Sequence, residues 1–446
     1  MTDDDAARRP GRSLFTCGLV LVIILIGLAN HGLSTALPTI AADLHATTWY
    51  SAPFTVHLAC TMLGTVLGGI QADRRRPDTV LLMALPVFAG GLMLAGVAEG
   101  MAVLLVARAI QGLAGGALVV LLYVLIASVY PASRQPAAFA AVSFAWMLPG
   151  LLGPATSGLI TEHASWRWIF LGLAPCVLLA TLLLAPALRH TGTRSVKTEP
   201  GPRAGLPWAA FGAAGGLMML TWAAHHWATS KPLLALLLGM SGLAVVMMSL
   251  RSLLPAGMLT ATPGVPLMVC ANGLLFGVSF GAESYVPLAL TMLHHASPVV
   301  AGLPLSSGLV GWTIGSYWQS RLQNPDRERL ISAGFAILAA SLLGLALSLP
   351  GTAAIAWVCM WWCVAGCGAG IVVTSTELGI TTLSSEAERG RNSSALLLAG
   401  SVGQAALVGL GGAVAATGPT GVLAWMWILL VIALLTGALV LRAARR

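Results

Sequence analysis

Of the fifteen acidic residues in this 446-residue chain, only Glu283 and Glu377 cannot be placed in a polar connection, a terminus or the end of an apolar segment. A carboxyl group held at depth among apolar side chains is costly in its charged form, so it marks proton exchange, cation binding or an obligatory hydrogen bond. Glu283, in Gly281-Ala-Glu-Ser-Tyr285-Val-Pro287, is the stronger candidate for a proton or cation site, with Tyr285 beside it. The alternative is a neutral or hydrogen-bonded Glu that faces Arg108 or a backbone group. Glu377 lies closer to the end of its segment and reads as a gate or an interface pairing partner. Arg108, three residues before Gln111, lies inside an apolar stretch; it either faces a wet cavity, which is the expectation adopted, or snorkels to the headgroups. His31 and His57 also lie within apolar segments. Imidazole titrates near pH 6.5, but a single histidine at depth serves equally as a hydrogen-bonding packing residue. The pairs His225-His226 and His294-His295 are poor chelators without further ligands, so no metal and no bound cofactor are expected. H-E-x-x-H does not occur, and the G-x-S-x-G match at Gly277-Val-Ser279-Phe-Gly281 lies within an apolar stretch read as helix and not at the strand-to-helix turn that activates such a serine. Intramembrane hydrolysis needs an activated nucleophile or a metal-ligand set. An enzyme is not expected.

The elements that must position these groups are membrane helices. Hydrophobic residues make up 57% of the chain and charged residues 9%, with mean hydropathy +0.87, against about 25% charged in a soluble domain. Apolar stretches long enough to cross a core of roughly 30 Å recur throughout. They predict fourteen helices, at approximately 14–38, 48–72, 79–98, 101–129, 136–162, 166–188, 205–225, 232–252, 264–292, 298–320, 329–349, 353–380, 391–416 and 420–441. With both termini cytoplasmic, this count puts twenty of the 23 Lys and Arg residues inside, leaves Arg167 and Lys231 outside, and places Arg108 within a helix. Adding or removing one helix would destroy that positive-inside partition. The net charge of +8 is thus a topology signal and not a nucleic-acid surface. The first apolar run lacks a small-residue cleavage site and is read as a retained helix. The seven cysteines are scattered without a CxxC pair, so no disulfide framework is expected.

The expected organisation is a cytoplasmic tail (1–13), a six-helix bundle (14–188), a cytoplasmic linker rich in Arg, Thr, Gly and Pro (189–204), a central helix pair (205–252), a second six-helix bundle (253–441) and a cytoplasmic tail (442–446). Small residues at four-residue spacing let membrane helices approach closely; Gly64 and Gly68, Gly112 and Gly116, and Cys359, Cys363 and Cys367 fit that use. Trp357, Trp361 and Trp362 belong either to the interfacial belt or to an aromatic cavity wall.

Several segments carry a family resemblance. Gly69-Ile-Gln-Ala-Asp73-Arg74-Arg75-Arg76 resembles the G-x-x-x-D-R-x-G-R-[RK] signature of the major facilitator superfamily. The resemblance implies a cytoplasmic gating latch at Gly69, Asp73 and Arg74, altered here because Arg76 and Pro77 replace the usual Gly and basic residue. Arg108-Ala-Ile-Gln111-Gly112 is similar to the family's R-x-x-Q-G, and Pro149-Gly150-Leu-Leu-Gly153-Pro154, with Gly158 beyond, is similar to its antiporter helix motif. Trp166-Arg167-Trp168-Ile169-Phe170 resembles the W-R-W-I-F of drug:proton antiporters, and Ala36-Leu37-Pro38-Thr39-Ile40-Ala41-Ala42-Asp43-Leu44 resembles the A-L-P-x-I-x-x-D-L of their fourteen-helix branch. That branch carries an aspartate seven residues before the Ala-Leu-Pro, where this chain has Ala29. The resemblance implies an all-α membrane protein of the major facilitator fold in a bacterial-type inner membrane, monomeric, working on a small molecule by alternating access. It further implies efflux of lipophilic or cationic drugs driven by the proton motive force. Arg108 and Gln111 are expected along the pathway from the R-x-x-Q-G match, and Glu283, His31 and Tyr285 from their own types and positions. A dedicated metabolite exporter and an uncoupled facilitator fit the missing acid equally well.

Overall fold

A computed structural model describes residues 10–74, 76–130, 134–191, 206–228, 232–322, 326–351 and 355–444. The first nine residues, Arg75, the segment 192–205 that holds most of the expected linker, Lys231 and the last two residues lie outside them. The described residues form sixteen α-helices: α1 (Pro10–Asp43), α2 (Ala52–Arg74), α3 (Pro77–Gly96), α4 (Met101–Val129), α5 (Gln135–His163), α6 (Arg167–Leu171), α7 (Leu173–Thr191), α8 (Leu206–Ala228), α9 (Pro232–Leu253), α10 (Val265–Glu283), α11 (Val286–His294), α12 (Pro298–Ser320), α13 (Arg327–Ser348), α14 (Ile355–Leu383), α15 (Glu386–Ala415) and α16 (Pro419–Ala444). Thirteen spans are long and apolar enough to cross a membrane, α6 with α7 and α10 with α11 each counting as one. α8, expected as a fourteenth pass, is not among these thirteen, although its 23 residues reach about 34 Å at roughly 1.5 Å per residue.

Two helices expected to be continuous are broken, each at a proline one turn on. Pro287 has no N–H to offer the Glu283 carbonyl, and α10 stops at Glu283. Pro175 likewise cannot serve Leu171, the last residue of α6. Two other boundaries move outward. The first helix already includes Pro10, the first described residue, inside the expected tail. The fifteenth starts at Glu386 and not at 391: Ser385 is its extended N-cap, and both the Ser385 backbone N–H and its hydroxyl reach the Glu388 carboxylate, the hydroxyl at 2.8 Å.

Packing repeats between the first and second halves of the chain. α2 packs on α4 as α12 packs on α14; α3 packs on α4 as α13 on α14; α1 packs on α5 as α10 on α15. The tightest pairs use backbone-to-backbone approach, where a side chain would not fit. A Cβ on Gly112 would lie 2.3 Å from the His57 carbonyl oxygen, and one on Gly116 would lie 2.1 Å from that of Thr61. The second half repeats the device: a Cβ on Gly311 would lie 1.8 Å from the Cys363 carbonyl oxygen, and one on Gly315 would lie 2.1 Å from that of Cys367. The dispersion attraction of such close approach stands in for the hydrophobic drive that lipid does not provide. α8 and α9 pack together, and α8 lies against both α2 and α15, where the Thr221 hydroxyl donates to Thr55 Oγ1 at 2.9 Å.

Candidate functional site

The halves meet along α5 and α12 and along α2 and α15. Between them lies a cavity of about 680 Å³, walled by α1 and α5 on one side and by α10, α12 and α14 on the other. It runs from His31 and Glu283 at its deep end toward Ser143, Tyr317 and Ser320, which lie at the same end of the molecule as the arginine-bearing connections after α2 and α12.

At the deep end His31 Nδ1 stands 3.6 Å from Glu283 Oε1, with a quarter of the His31 side chain and about a sixth of the Glu283 side chain accessible (25% and 17%). The pair joins residues 252 positions apart, from opposite halves. Glu283 is the only carboxyl group among the residues described along the cavity wall. The walls are otherwise aromatic and apolar, with Trp146, Phe280, Trp312 and Trp362, and carry scattered hydroxyls. One turn before Glu283, the Ser279 hydroxyl lines the cavity and is buried without a hydrogen-bond partner. Such an orphan is costly unless a ligand or water engages it. The tryptophan run divides: Trp362 closes the cavity wall against Gly308, the Trp361 carbonyl accepts from Ser341, and Trp357 is on the surface.

The other expected pathway residues lie off the cavity wall: Arg108 and Gln111 face the interior of the first half, whereas Tyr285 and Glu377 meet first-half residues away from the cavity. Arg108 is fully buried in the first bundle and does not line the cavity. Its guanidinium donates to Gln111 Oε1 at 2.6 Å, to Asn30 Oδ1 at 3.4 Å and to the Pro53 carbonyl at 3.4 Å, and Gln111 Nε2 donates to the Gly91 carbonyl at 2.8 Å. No described carboxylate pairs with it. Arg108 therefore neither faces Glu283 nor snorkels; it bolts α4 to α1, α2 and α3. Tyr285 is fully buried, donates to the Val408 carbonyl at 2.6 Å and tilts against Tyr50, whose hydroxyl donates to the Ser284 carbonyl at 2.9 Å. Glu377 is off the cavity wall, near Tyr123 of α4; the Tyr123 hydroxyl accepts from Trp146. Gly69 and Arg74 close α2, while the side chain of Asp73 lies outside the described residues.

The helix-five motif has a definite place. Gly153 faces the Cβ of His31, and a Cβ there would lie 3.2 Å from it; Gly150 abuts Leu309 across the interface. Beyond the His31–Glu283 level, a Cβ on Gly158 would lie 2.7 Å from Val299 Cα, and one on Gly302 would lie 2.8 Å from the Pro154 carbonyl oxygen. These contacts seal the end remote from the arginines. At the same end Asp43 accepts from the Trp166 indole at 3.0 Å and from Arg167 at 3.1 Å, and Arg167 donates onward to the Ala98 carbonyl at 3.2 Å. The Ala-Leu-Pro segment and the Trp-Arg-Trp segment, about 120 residues apart, thus lock to each other.

Sequence reasoning missed Ser279, Gly302 and the aromatic residues Trp146, Phe280 and Trp312 on the cavity wall. The only signal for them was helical spacing from Glu283 and from the helix-five glycines, which does not say which face is inward.

Residues 19–281, more than half of the chain, match the Major Facilitator Superfamily. The chain is 26% identical over 409 residues to a "Probable multidrug-efflux transporter" of Mycobacterium tuberculosis, covering 89% of this chain and 86% of that protein. It is 29% identical over 237 residues to an "Acurin A biosynthesis cluster MFS-type transporter" of Aspergillus aculeatus, a match covering 50% of this chain and 43% of that one, so the chain spans less than half the length of this fungal relative. Its fold is similar to that of a POT family transporter crystallised with 5-aminolevulinic acid, with a TM-score of 0.75 at 13% identity over 97% of this chain and 96% of that one.

Proposed function

The chain belongs to the major facilitator superfamily, and from that premise we propose that it exports lipophilic organic cations by alternating access in exchange for protons, with Glu283 as the coupling carboxyl group. The observation that carries this reading is the cavity between the halves, whose single described carboxyl group stands among aromatic walls. Such walls hold flat or bulky apolar cations through dispersion and cation–π attraction. One carboxylate that must be either protonated or paired with a cation makes the two ligands alternatives, as exchange requires. Ala29 is buried in the first bundle, so an acid at that position would not reach the cavity as Glu283 does. The similarity to a multidrug-efflux protein over most of both chains supports the same substrate class. The protein is proposed to act as a monomer in a bacterial-type inner membrane with no cofactor beyond the proton motive force.

The test uses inside-out vesicles energised to an acidic interior. Tetraphenylphosphonium and similar cations are expected to dissipate the pH gradient with wild-type protein, and Glu283→Gln is expected to lower that response about a hundredfold while the variant still inserts. Such a loss is in the range for removal of a proton-transfer group. A full response in Glu283→Gln sinks the coupling assignment; no response to any cation in either protein turns the reading to a dedicated metabolite exporter.

The proposed orientation puts the arginine-bearing connections in the cytoplasm. Reporters fused after Arg203 and after Arg251 are expected to report cytoplasm, and one placed at His226 the opposite face. A cytoplasmic signal at His226 would remove the α8–α9 pair from the membrane.

A further inference from the structure

Every neighbour of Glu283 bears on what can bind there, and the nearest ionisable one is supplied by the protein itself. His31 comes from α1, on the opposite half, and its Cβ packs on Gly153, where an added Cβ would lie 3.2 Å away. At 3.6 Å the contact is longer than a formed hydrogen bond of about 2.7–3.2 Å, so the two groups are in register without being locked. Both remain partly open to the cavity, and no other hydrogen bond to either side chain is described. An imidazolium here would sit where the positive centre of a bound ligand has to sit.

We propose that His31 is a tethered competitor for Glu283: protonated, it occupies the carboxylate and excludes a cationic ligand; neutral, it yields the carboxylate to the ligand. The inference rests on the cation-export reading and adds to it a specificity and pH control written into one side chain. It also gives direction to the cycle. Protonation of His31 would draw the halves together at the sealed end by an ion pair, and a bound cation would replace that tie by one through the ligand.

The surrounding groups leave His31 in this role. From α4 comes Arg108, which reaches α1 through Asn30, next to His31. From α2 comes His57, turned to the Arg108 carbonyl, and from just before α2 comes Tyr50, which is hydrogen-bonded to the Ser284 carbonyl. Before α11 lies Tyr285, committed to Val408. α12 offers Tyr317 at the far mouth of the cavity, and the described cavity-lining residues of α5 and α14 include no titratable side chain. α15 and α16, which pack on α10, contribute none to the cavity wall. Arg108 is hydrogen-bonded to three uncharged oxygen acceptors in its own bundle, which solvate its charge in place, and it makes no ion pair with Glu283.

The experiment is equilibrium binding of tetraphenylphosphonium to purified full-length protein in nanodiscs between pH 5.5 and 8.5. Wild-type affinity is expected to fall with acid by up to two protons' worth, one from Glu283 and one from His31, whereas His31→Gln falls by one. That makes His31→Gln bind about tenfold tighter than wild type one pH unit below the imidazole titration. A permanent tethered cation, in His31→Arg and independently His31→Lys, is expected to weaken binding about tenfold or more even at pH 8.5, where wild type binds best. In a Glu283→Gln background the His31 substitutions are expected to change nothing. An unchanged pH profile in His31→Gln, or undiminished binding in both cationic variants, overturns the competition while leaving the export reading standing. Binding that ignores Glu283, or is absent from wild type at every pH, overturns the export reading and this inference with it.

Discussion

Valine at Gly158 is expected to abolish transport while leaving the protein inserted, lowering cation-driven proton exchange to about a hundredth of wild type or less. The first added carbon would lie 2.7 Å from Val299 Cα, 2.9 Å from Val299 N and 2.9 Å from the Pro298 carbonyl oxygen. All three are main-chain atoms at the start of α12, so no rotamer change relieves the clash, and α5 and α12 must separate. Gly302 meets the Pro154 carbonyl oxygen and Thr35 at the same level, so separation there unseals the end of the molecule remote from the arginines. A conformation opened at that end is expected to hold these helices apart and so to escape the clash. The variant is therefore trapped open at that end, in keeping with the rule that a change felt by one state only shifts the equilibrium by its full cost.

The measurement is thiol accessibility. In a background with the seven native cysteines replaced, a cysteine at Ser279 is expected to react with an impermeant reagent from the arginine-poor face in Gly158→Val and not in the Gly158 parent. Wild-type exchange in Gly158→Val, or no change in labelling, would show that this contact is not the seal. Gly302→Val, made on the other helix, is expected to give the same phenotype, which separates a seal defect from a local packing fault in α5.

Thirteen spans were legible from apolar length; their ends were less so, and the charge partition that set the expected count at fourteen concerns sidedness, which the reporter fusions test. The close pairing of Gly112 and Gly116 with α2 was legible for a different reason, since small residues four apart lie on one helix face. The break after Glu283 was written in the chain as well, in Pro287 four residues on, but continuous hydropathy hid it. What spacing along one helix cannot carry is the azimuth of that helix in the bundle. Arg108 was expected in the cavity because its depth in the helix is right; its face is wrong by enough to point it at Gln111 and Asn30 instead. His31 and Glu283 each stood out singly by type and depth. Their juxtaposition depends on how two halves dock, and the docking surface is made of glycines and main-chain atoms that leave no pairwise pattern in a single sequence.

Arg108 gives the second large effect, one that separates a bolt from a pathway residue. Arg108→Met keeps the apolar stem and removes the donors, leaving Gln111 Oε1, Asn30 Oδ1 and the Pro53 carbonyl in a dry interior. Each neutral acceptor left unpaired in a dry interior costs about 1–3 kcal/mol, a large fraction of the roughly 5–15 kcal/mol that holds an ordinary domain together. Thermal unfolding followed in detergent is expected to move down accordingly, and the inserted yield to fall with it. Gln111→Leu alone is expected to cost less, and the double variant less than the sum of the two, with a coupling of about 1.5 kcal/mol or more for a contact as short as 2.6 Å. The fraction of Arg108→Met that does insert is expected to keep its pH profile of tetraphenylphosphonium binding, because the carboxylate that meets the cation is untouched. Were Arg108 instead part of the pathway, the order would reverse: stability near wild type, and a binding profile displaced along the pH axis. The two quantities are read from the same preparation, so the interior role assigned by its hydrogen bonds and the cavity role suggested by its position in the helix predict opposite pairs of results.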